Sequence, residues 1–505
     1  MKKILFFLWL PLVLQGCDGS LNSNQEELDQ FVLDSSIWTV QLGTGTNDSA
    51  QGLSIDSQGN LYLAGYTSGN LQENGNAGGE DLVLVKYDSN GDRQWTRQLG
   101  VTGDDVAFAS ATDSSGNVYA AGYTEGGLDG NTHIGSFDLF LIKYDSNGGK
   151  LWSVQHGTSA KDVIFAIATD ASNDVYVAGY TAGNLDSNTS DGGDDLILIK
   201  YDSSGTRQWT QQYGSSGSDY ARGISLDSSG NIYVVGDTSG GLGSNSNSGS
   251  EDLFLIKYNS SGNLQWTQQL GTFSNDVAFD VATDSSGNSY VTGYTGSSLD
   301  SNTHSGELDL FLVKYDTSGN KSWSKQMGTS TSDYARGVSV DADGNVSFTG
   351  YTTAALDGQT HYGSDDLFLV KYNSSGTKLW TRQLGTSTLD RAVDVIQVSY
   401  GMTGISCALQ IADAAFGYEM PITLGGSPGL IHAHLATVMP NFMTLEVPDP
   451  VVRDGVFTSD IKIVDGWAVL GDRPGLGLEI DREALDKQRV DAIPAGSGPS
   501  PFGRR

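Results

Sequence analysis

The chain has 505 residues, enough for about two to four ordinary domains or one large repeat architecture. It carries 60 Asp and Glu against 28 Lys and Arg; the net charge of −32 repels phosphate, excludes nucleic acid as a partner and suits an exported, wet setting. Hydrophobic residues make up 38%, enough for a core, and 66 glycines against 10 prolines suit many tight turns between strands.

The chain opens with "MKK" and the apolar run "ILFFLWLPLVL", which has the length of a secretory h-region and is short for a membrane span. The "LQGC" that follows resembles a bacterial lipobox, with Leu14, Gly16 and Cys17 in place and an unusual Gln15. That resemblance implies diacylglyceryl transfer to Cys17, so residues 1–17 read as a lipoprotein signal peptide and the membrane is a partner through the lipidated Cys17. The bland alternative is an ordinary signal peptide with an accidental cysteine. Asp18 resembles an inner-membrane retention signal, a rule that varies between lineages; the expected address is the bacterial cell envelope, at the inner membrane's periplasmic side or the outer membrane. Residues 18–36 are polar and read as a tether. Cys407 is the second and last cysteine, so neither a disulfide framework nor a cysteine metal site can be built.

A repeat follows. The turn "D-x-x-G-N" recurs every 57 residues from Asp56 through Asp113, Asp170, Asp227 and Asp284 to Asp341, the third copy reading "DASND". Trp38, Trp95, Trp152, Trp209, Trp266, Trp323 and Trp380 keep the same spacing. Each unit holds four strand-like runs, in the second unit "DVAFASATD", "NVYAAGYT", "DLFLIKYD" and "KLWSVQHG". The third is apolar on both faces and must be covered from both sides; the Trp run alternates and suits an outer strand. Four antiparallel strands per unit in a ring describe a β-propeller. The pattern "DSSGNVYVAGYT…DLFLIKYDSSG…QWTRQLG" resembles the SBBP family of seven-bladed propeller repeats over about residues 37–395. The family implies the fold and an extracytoplasmic place, and assigns no reaction.

Seven Trp strands against six Asp turns predict six full four-stranded blades and an incomplete seventh, closed from both chain ends so that no sheet edge stays open. "IWTVQLG" at 37–43 is the outer strand of that seventh blade. Its inner strand begins at 386–395, where Asp390 and Ala392 keep register, and then stops: Val398 stands where the turn Asp belongs.

From about 394 the pattern turns to alternating strand and helix: "VDVIQVSY", then a helix over 405–419, a strand "MPITLG", a helix over 430–439 and a strand "FMTLEV". "LIHAHLATVMPNFMTLE" and "DGWAVLGDRPGLGLEIDREAL" resemble the last helix, eighth strand and closing segment of the enolase superfamily, mandelate racemase branch, over about 394–487. Only the last quarter of such a barrel is present, since a complete one takes about 250 residues. The expected layout is therefore a propeller at 37–395, a small α/β fragment of a β/α barrel at 396–487 and a disordered tail at 488–505. By the resemblance, Glu446 matches the strand-eight Glu, whereas the Lys-x-Lys bases and the three carboxylate Mg²⁺ ligands belong to strands this chain does not contain. The catalytic His belongs about twenty residues earlier, at Gly426; His432 and His434 fall on the helix. No enolase-type activity is expected, and Glu446 is a vestige. The join reads as a natural fusion, a frame-disrupting event or an assembly artefact.

Two Asp series line the loops at one mouth: Asp48, Asp105, Asp162, Asp219, Asp276, Asp333 and Asp390, and Asp81, Asp138, Asp195, Asp252, Asp309 and Asp366. Asp105, Asp138, Asp162, Asp195, Asp219 and Asp252 are weak Ca²⁺ candidates. Their presence in every blade favours instead a role in capping their own turns. His133, His304 and His361 share one repeat position, and His133 is too remote from the other two for a common metal. No catalytic constellation stands out, and no cofactor is expected beyond possible Ca²⁺. The expected function is a lipid-anchored, non-catalytic binding or scaffold module for an unknown protein or glycan ligand. Its rivals are an enolase-superfamily dehydratase or racemase remnant and a Ca²⁺-stabilised surface adhesion module.

Overall fold

A computed structural model describes residues 6–9, 37–40, 42–71, 75–387, 390–392 and 394, with six short strands between 422 and 480. The chain divides into two compact units, Met1–Cys407 and Ala408–Arg505.

Within the first unit the 57-residue repeat forms an all-β propeller of six four-stranded antiparallel blades, as the spacing predicts. The first blade is built from Asp48–Ile55, Leu61–Thr67, Asp81–Tyr87 and Arg93–Leu99, the sixth from Asp333–Val340, Val346–Thr352, Asp366–Tyr372 and Lys378–Leu384. In every blade the strands lie side by side in chain order. First strands of successive blades touch, which puts them innermost: the Thr112 hydroxyl donates to the Ile55 carbonyl at 2.7 Å, and Thr169 repeats the bond to Thr112 at 2.8 Å. The Trp strand is outermost, its first residues exposed and its centre half-buried.

The Asp turn joins first to second strand by one set of bonds throughout. In the second blade the Asp113 carboxylate accepts the Ser115 and Asn117 N–H groups, and Gly116 takes φ 78°. The third blade's "DASND" has no glycine there, and Asn173 itself takes φ 65°, a conformation Asn tolerates better than most residues.

The core lies between blades. One cluster joins Tyr62, Leu82 and Leu84 of the first blade to Val118, Phe140 and Ile142 of the second, and the same pattern repeats to the sixth blade. This is why the third strand is apolar on both faces: Leu139 and Phe140 of one strand belong to different clusters. The sixth blade departs from the pattern. Ser347 stands where the other blades have a Tyr, and Leu367 and Leu369 are half-buried whereas their counterparts are sealed.

A seventh blade begins in register. The Asp390 N–H donates to the Asp365 carbonyl at 2.8 Å, as Asp333 does to Leu308, and its carboxylate accepts the Thr386 N–H at 2.6 Å. At the other end, strand Ile37–Val40 pairs antiparallel with Phe6–Trp9. Among the described residues helix is confined to four single 3₁₀ turns, each setting a buried Leu under its loop.

In the second unit, Ile422–Leu424 and Phe442–Leu445 are parallel neighbours, the arrangement a β/α crossover produces. The helices expected over 405–419 and 430–439 lie outside the described residues, as do Cys17, His432, His434 and Glu446.

Candidate functional site at the axial mouth

The two Asp series meet at the mouth where the first strands begin, and the structure engages them inside the protein. Asp105 is fully buried and accepts the Val101 N–H at 2.6 Å and the Thr124 hydroxyl. Asp162 accepts the N–H and hydroxyl of Thr158 and the hydroxyl of Thr181. Asp219 does the same with Ser215 and Thr238. In the second series, Asp138 accepts Ile134 N–H and Gln155 Nε2, Asp195 accepts Asp191 N–H and Gln212 Nε2, and Asp252 accepts Ser248 N–H and Gln269 Nε2, all between 2.7 and 3.2 Å. These carboxylates clamp loop to strand and outer strand to loop.

Members of the two series face each other across blade junctions, with Gly157 between Asp138 and Asp162 and Gly214 between Asp195 and Asp219; a Cβ on either glycine would collide with the carboxylates. Burial pushes the Asp105 carboxyl up to about 6, and the charge of Asp81 adds to it. Burial raises Asp162 and Asp219 likewise, with Asp138 and Asp195 contributing. Asp195 Oδ1 and Asp252 Oδ1 are buried without a hydrogen-bond partner. No group of three or more His, Cys, Asp or Glu side chains with metal-holding geometry occurs among the described residues. His133, His304 and His361 stay apart, each with Nδ1 3.3–3.4 Å from its own blade's Asp138, Asp309 or Asp366.

The feature that sequence reasoning missed lies nearer the axis. The pairing of first and second strands slips by one residue in every blade, between Ala107 and Ala109 in the second. A bulge re-aims the extra side chain. The bulged residues are Gln51, Phe108, Phe165, Arg222, Phe279 and Arg336, half-exposed in each case. Phe108 packs on Tyr123 and edge-on to Phe165, with centroids 5.9 and 5.2 Å apart. Phe165 packs on Tyr180, and Phe279 on Tyr294. Arg222 lies between Phe165 and Phe279, its guanidinium carbon 5.8 and 5.6 Å from their rings, and pairs with buried Asp237. Burial raises the Asp237 carboxyl, against the pull of Arg222. Arg336 sits 3.9 Å over Phe279. The mouth is thus a collar of rings and guanidinium groups.

A beta-propeller repeat model, SBBP, matches residues 37–72, 94–129, 208–243 and 265–300. Four of its repeat units thus match the SBBP repeat. An enolase C-terminal domain-like model matches residues 380–484. Among curated proteins, the chain is 22% identical to an uncharacterized WD repeat-containing protein of Acanthamoeba polyphaga mimivirus, over 71% of this chain and 35% of that one. It is 31% identical to the regulatory protein FlaEY of Caulobacter vibrioides, over 35% of this chain and 21% of the other. The chain therefore spans about a third and about a fifth of the length of these relatives. Among solved structures, a protein of unknown function from Bacteroides caccae overlaps 65% of this chain and 98% of its own at 11% identity and a TM-score of 0.36.

Within the SBBP repeat, positions that build the blade are nearly uniform and the axial position is not. Asp, Trp and the turn Gly return blade after blade, whereas the bulge runs Gln, Phe, Phe, Arg, Phe, Arg. Its signal in the sequence was the failure of one column to repeat inside a motif that otherwise does.

Proposed function

We propose that the chain is a non-catalytic binding or scaffold module of the bacterial cell envelope, held at the membrane by a lipid on Cys17, with the axial mouth as its binding face. The observation that carries this reading is the unequal collar. A residue needed for the fold recurs in each blade; a residue that meets one ligand need occur only where the ligand touches. Half-exposed rings and guanidinium groups are also the side chains that dominate binding surfaces. Propellers present such faces without moving parts, and the WD-repeat description of the mimivirus relative agrees with a platform role. The lipobox-like "LQGC" supports the anchor, and no helix among the described residues is long and apolar enough to cross a membrane.

Added to isolated envelope fractions as purified, unlipidated Cys17→Ala protein, the chain with Phe108→Ala and Phe165→Ala is expected to keep the parent's melting temperature within about 3 °C and to lose the parent's retention. Gln58→Ala with Ser115→Ala, in exposed turns between first and second strands, at the other end of the first strands, should be retained like the parent. Equal retention of all three proteins removes the mouth as the binding face. Cys17→Ala should shift the chain from the membrane pellet to the soluble fraction; no shift removes the lipid anchor.

A further inference from the structure

The mouth is not equally equipped all round. Of its two bulged arginines, Arg222 is matched by an acid on the neighbouring strand, because Asp237 takes the place that Tyr occupies in the other blades. Arg336 faces Tyr351 at that place. Among the described residues its one hydrogen bond is to the Tyr351 hydroxyl at 3.4 Å, and no carboxylate pairs with it. A guanidinium carries five N–H donors in a planar fork, so most of this fork has no partner among the described residues. Its orientation is set by rings: Phe279 lies 3.9 Å beneath it, with Tyr351 at 5.7 Å and Tyr334 at 6.0 Å.

Beside the fork is a flat, fixed apolar face. Tyr334 is half-exposed, stacks on Tyr351 with centroids 4.7 Å apart at 25°, and is met edge-on by Tyr294 at 5.2 Å. Arg391, which pairs with Asp365, closes the far side 4.3 Å from the Tyr351 ring. A pre-oriented cation next to a rigid aromatic face recognises a molecule that joins a planar anion to a flat C–H surface.

We propose that Arg336, Tyr334, Phe279 and Tyr351 form a subsite for a sugar unit bearing one carboxylate, a hexuronate. The carboxylate takes the Arg336 fork as a bidentate acceptor, and the C–H face of the pyranose lies on Tyr334. A neutral sugar forgoes the charge-assisted pair, and a simple carboxylate forgoes the stacking. A net charge of −32 disfavours a densely anionic polymer at this mouth, so the ligand carries its carboxylates singly or far apart. This inference rests on the reading of the mouth as the binding face and adds the ligand's class.

The test is calorimetric titration of the full chain with sodium glucuronate at neutral pH, with glucose and acetate titrated in parallel. Saturable glucuronate binding in the millimolar range is expected, with glucose and acetate at least tenfold weaker. Arg336→Ala and Tyr334→Ala should each weaken glucuronate at least tenfold, Arg336→Lys should fail to restore it because the fork is lost, and Tyr334→Phe should bind like the parent. Melting curves like the parent's show that the variants are folded. Absence of glucuronate binding by the parent, unchanged binding by Arg336→Ala, or acetate binding as tightly as glucuronate overturns the proposal. If envelope retention still depends on Phe108 and Phe165 in that event, the mouth remains the binding face and only the ligand class falls.

Discussion

Asp105 shows what a repeated carboxylate does when it is sealed in. Burial pushes it up to about 6, beyond what its bonds to Thr124 and Val101 offset, and burial moves Asp162, Asp219, Asp276 and Asp333 the same way. Each holds its proton more tightly folded than unfolded, so the folded state binds the excess protons and stability falls as pH rises from about 4 through about 6. Asp316, in a turn between third and fourth strands, is the opposite case: the Asn320 side chain, then its N–H, hold it below the ordinary range, and its contribution is lost only in stronger acid. The midpoint of urea unfolding is therefore expected to fall between pH 4.5 and 7, and Asp105→Asn should flatten that fall by roughly one proton's worth of slope. A midpoint that climbs across this window contradicts the burial argument. The register and identity of these aspartates were legible in the sequence; their burial was not, because an Asp before a strand reads equally as a rim charge. The Thr or Ser four residues earlier, at Thr44, Thr158, Ser215, Thr272, Thr329 and Thr386, with Val101 in its place before Asp105, is the signal that marks the clamp.

At the scale of the element, the Trp strand and the turn of the next blade form a lock. Gly148, Gly205, Gly262, Gly319 and Gly376 each take φ near 80° in the turn between third and fourth strands, and the indole of the preceding blade's Trp lies where a Cβ would project. For Gly262 that Cβ would come 3.0 Å from the Trp209 ring. Gly344, at φ 77° in the Asp341 turn, has only the Ser374 Cβ nearby, at 3.3 Å. Gly344→Ala should thus cost about 1 kcal/mol for its backbone conformation, and Gly262→Ala about 1–3 kcal/mol more for the displaced indole. Equal losses in chemical denaturation show that the Trp does not dictate the glycine. Strand number, order and the outer place of Trp could be read from the period because every blade solves the same packing problem. The slip in pairing could not, because a single extra residue in an eight-residue strand is too short a break in the alternation to stand out; only the column that fails to repeat marks its place.

At the scale of the molecule, the period also says what is missing. Trp95, Trp152, Trp209, Trp266 and Trp323 each rest on the glycine 53 residues ahead, and the same offset assigns Gly91, φ 77°, to Trp38. In the structure Ile37–Val40 pairs instead with Phe6–Trp9, a segment that the cleavage proposed before Cys17 would take away. The strand that the repeat would put beside Trp38 is the third of the seventh blade, and the repeat stops after Asp390. With the leader removed as proposed, the repeat register points this strand to the turn of the first blade, where Gly91 takes the same positive φ as the glycines under the other indoles. We expect Trp38→Cys and Asn90→Cys, combined in a Cys407→Ser chain whose leader has been processed, to be joined within one molecule by a short bis-maleimide. Asn147, the equivalent of Asn90, lies beside Trp95 through the Arg97 contact to its carbonyl, so the geometry has a precedent one blade on. Cross-links found only between molecules transfer the strand to a second copy's first blade, and no cross-link at all removes Trp38 from the propeller.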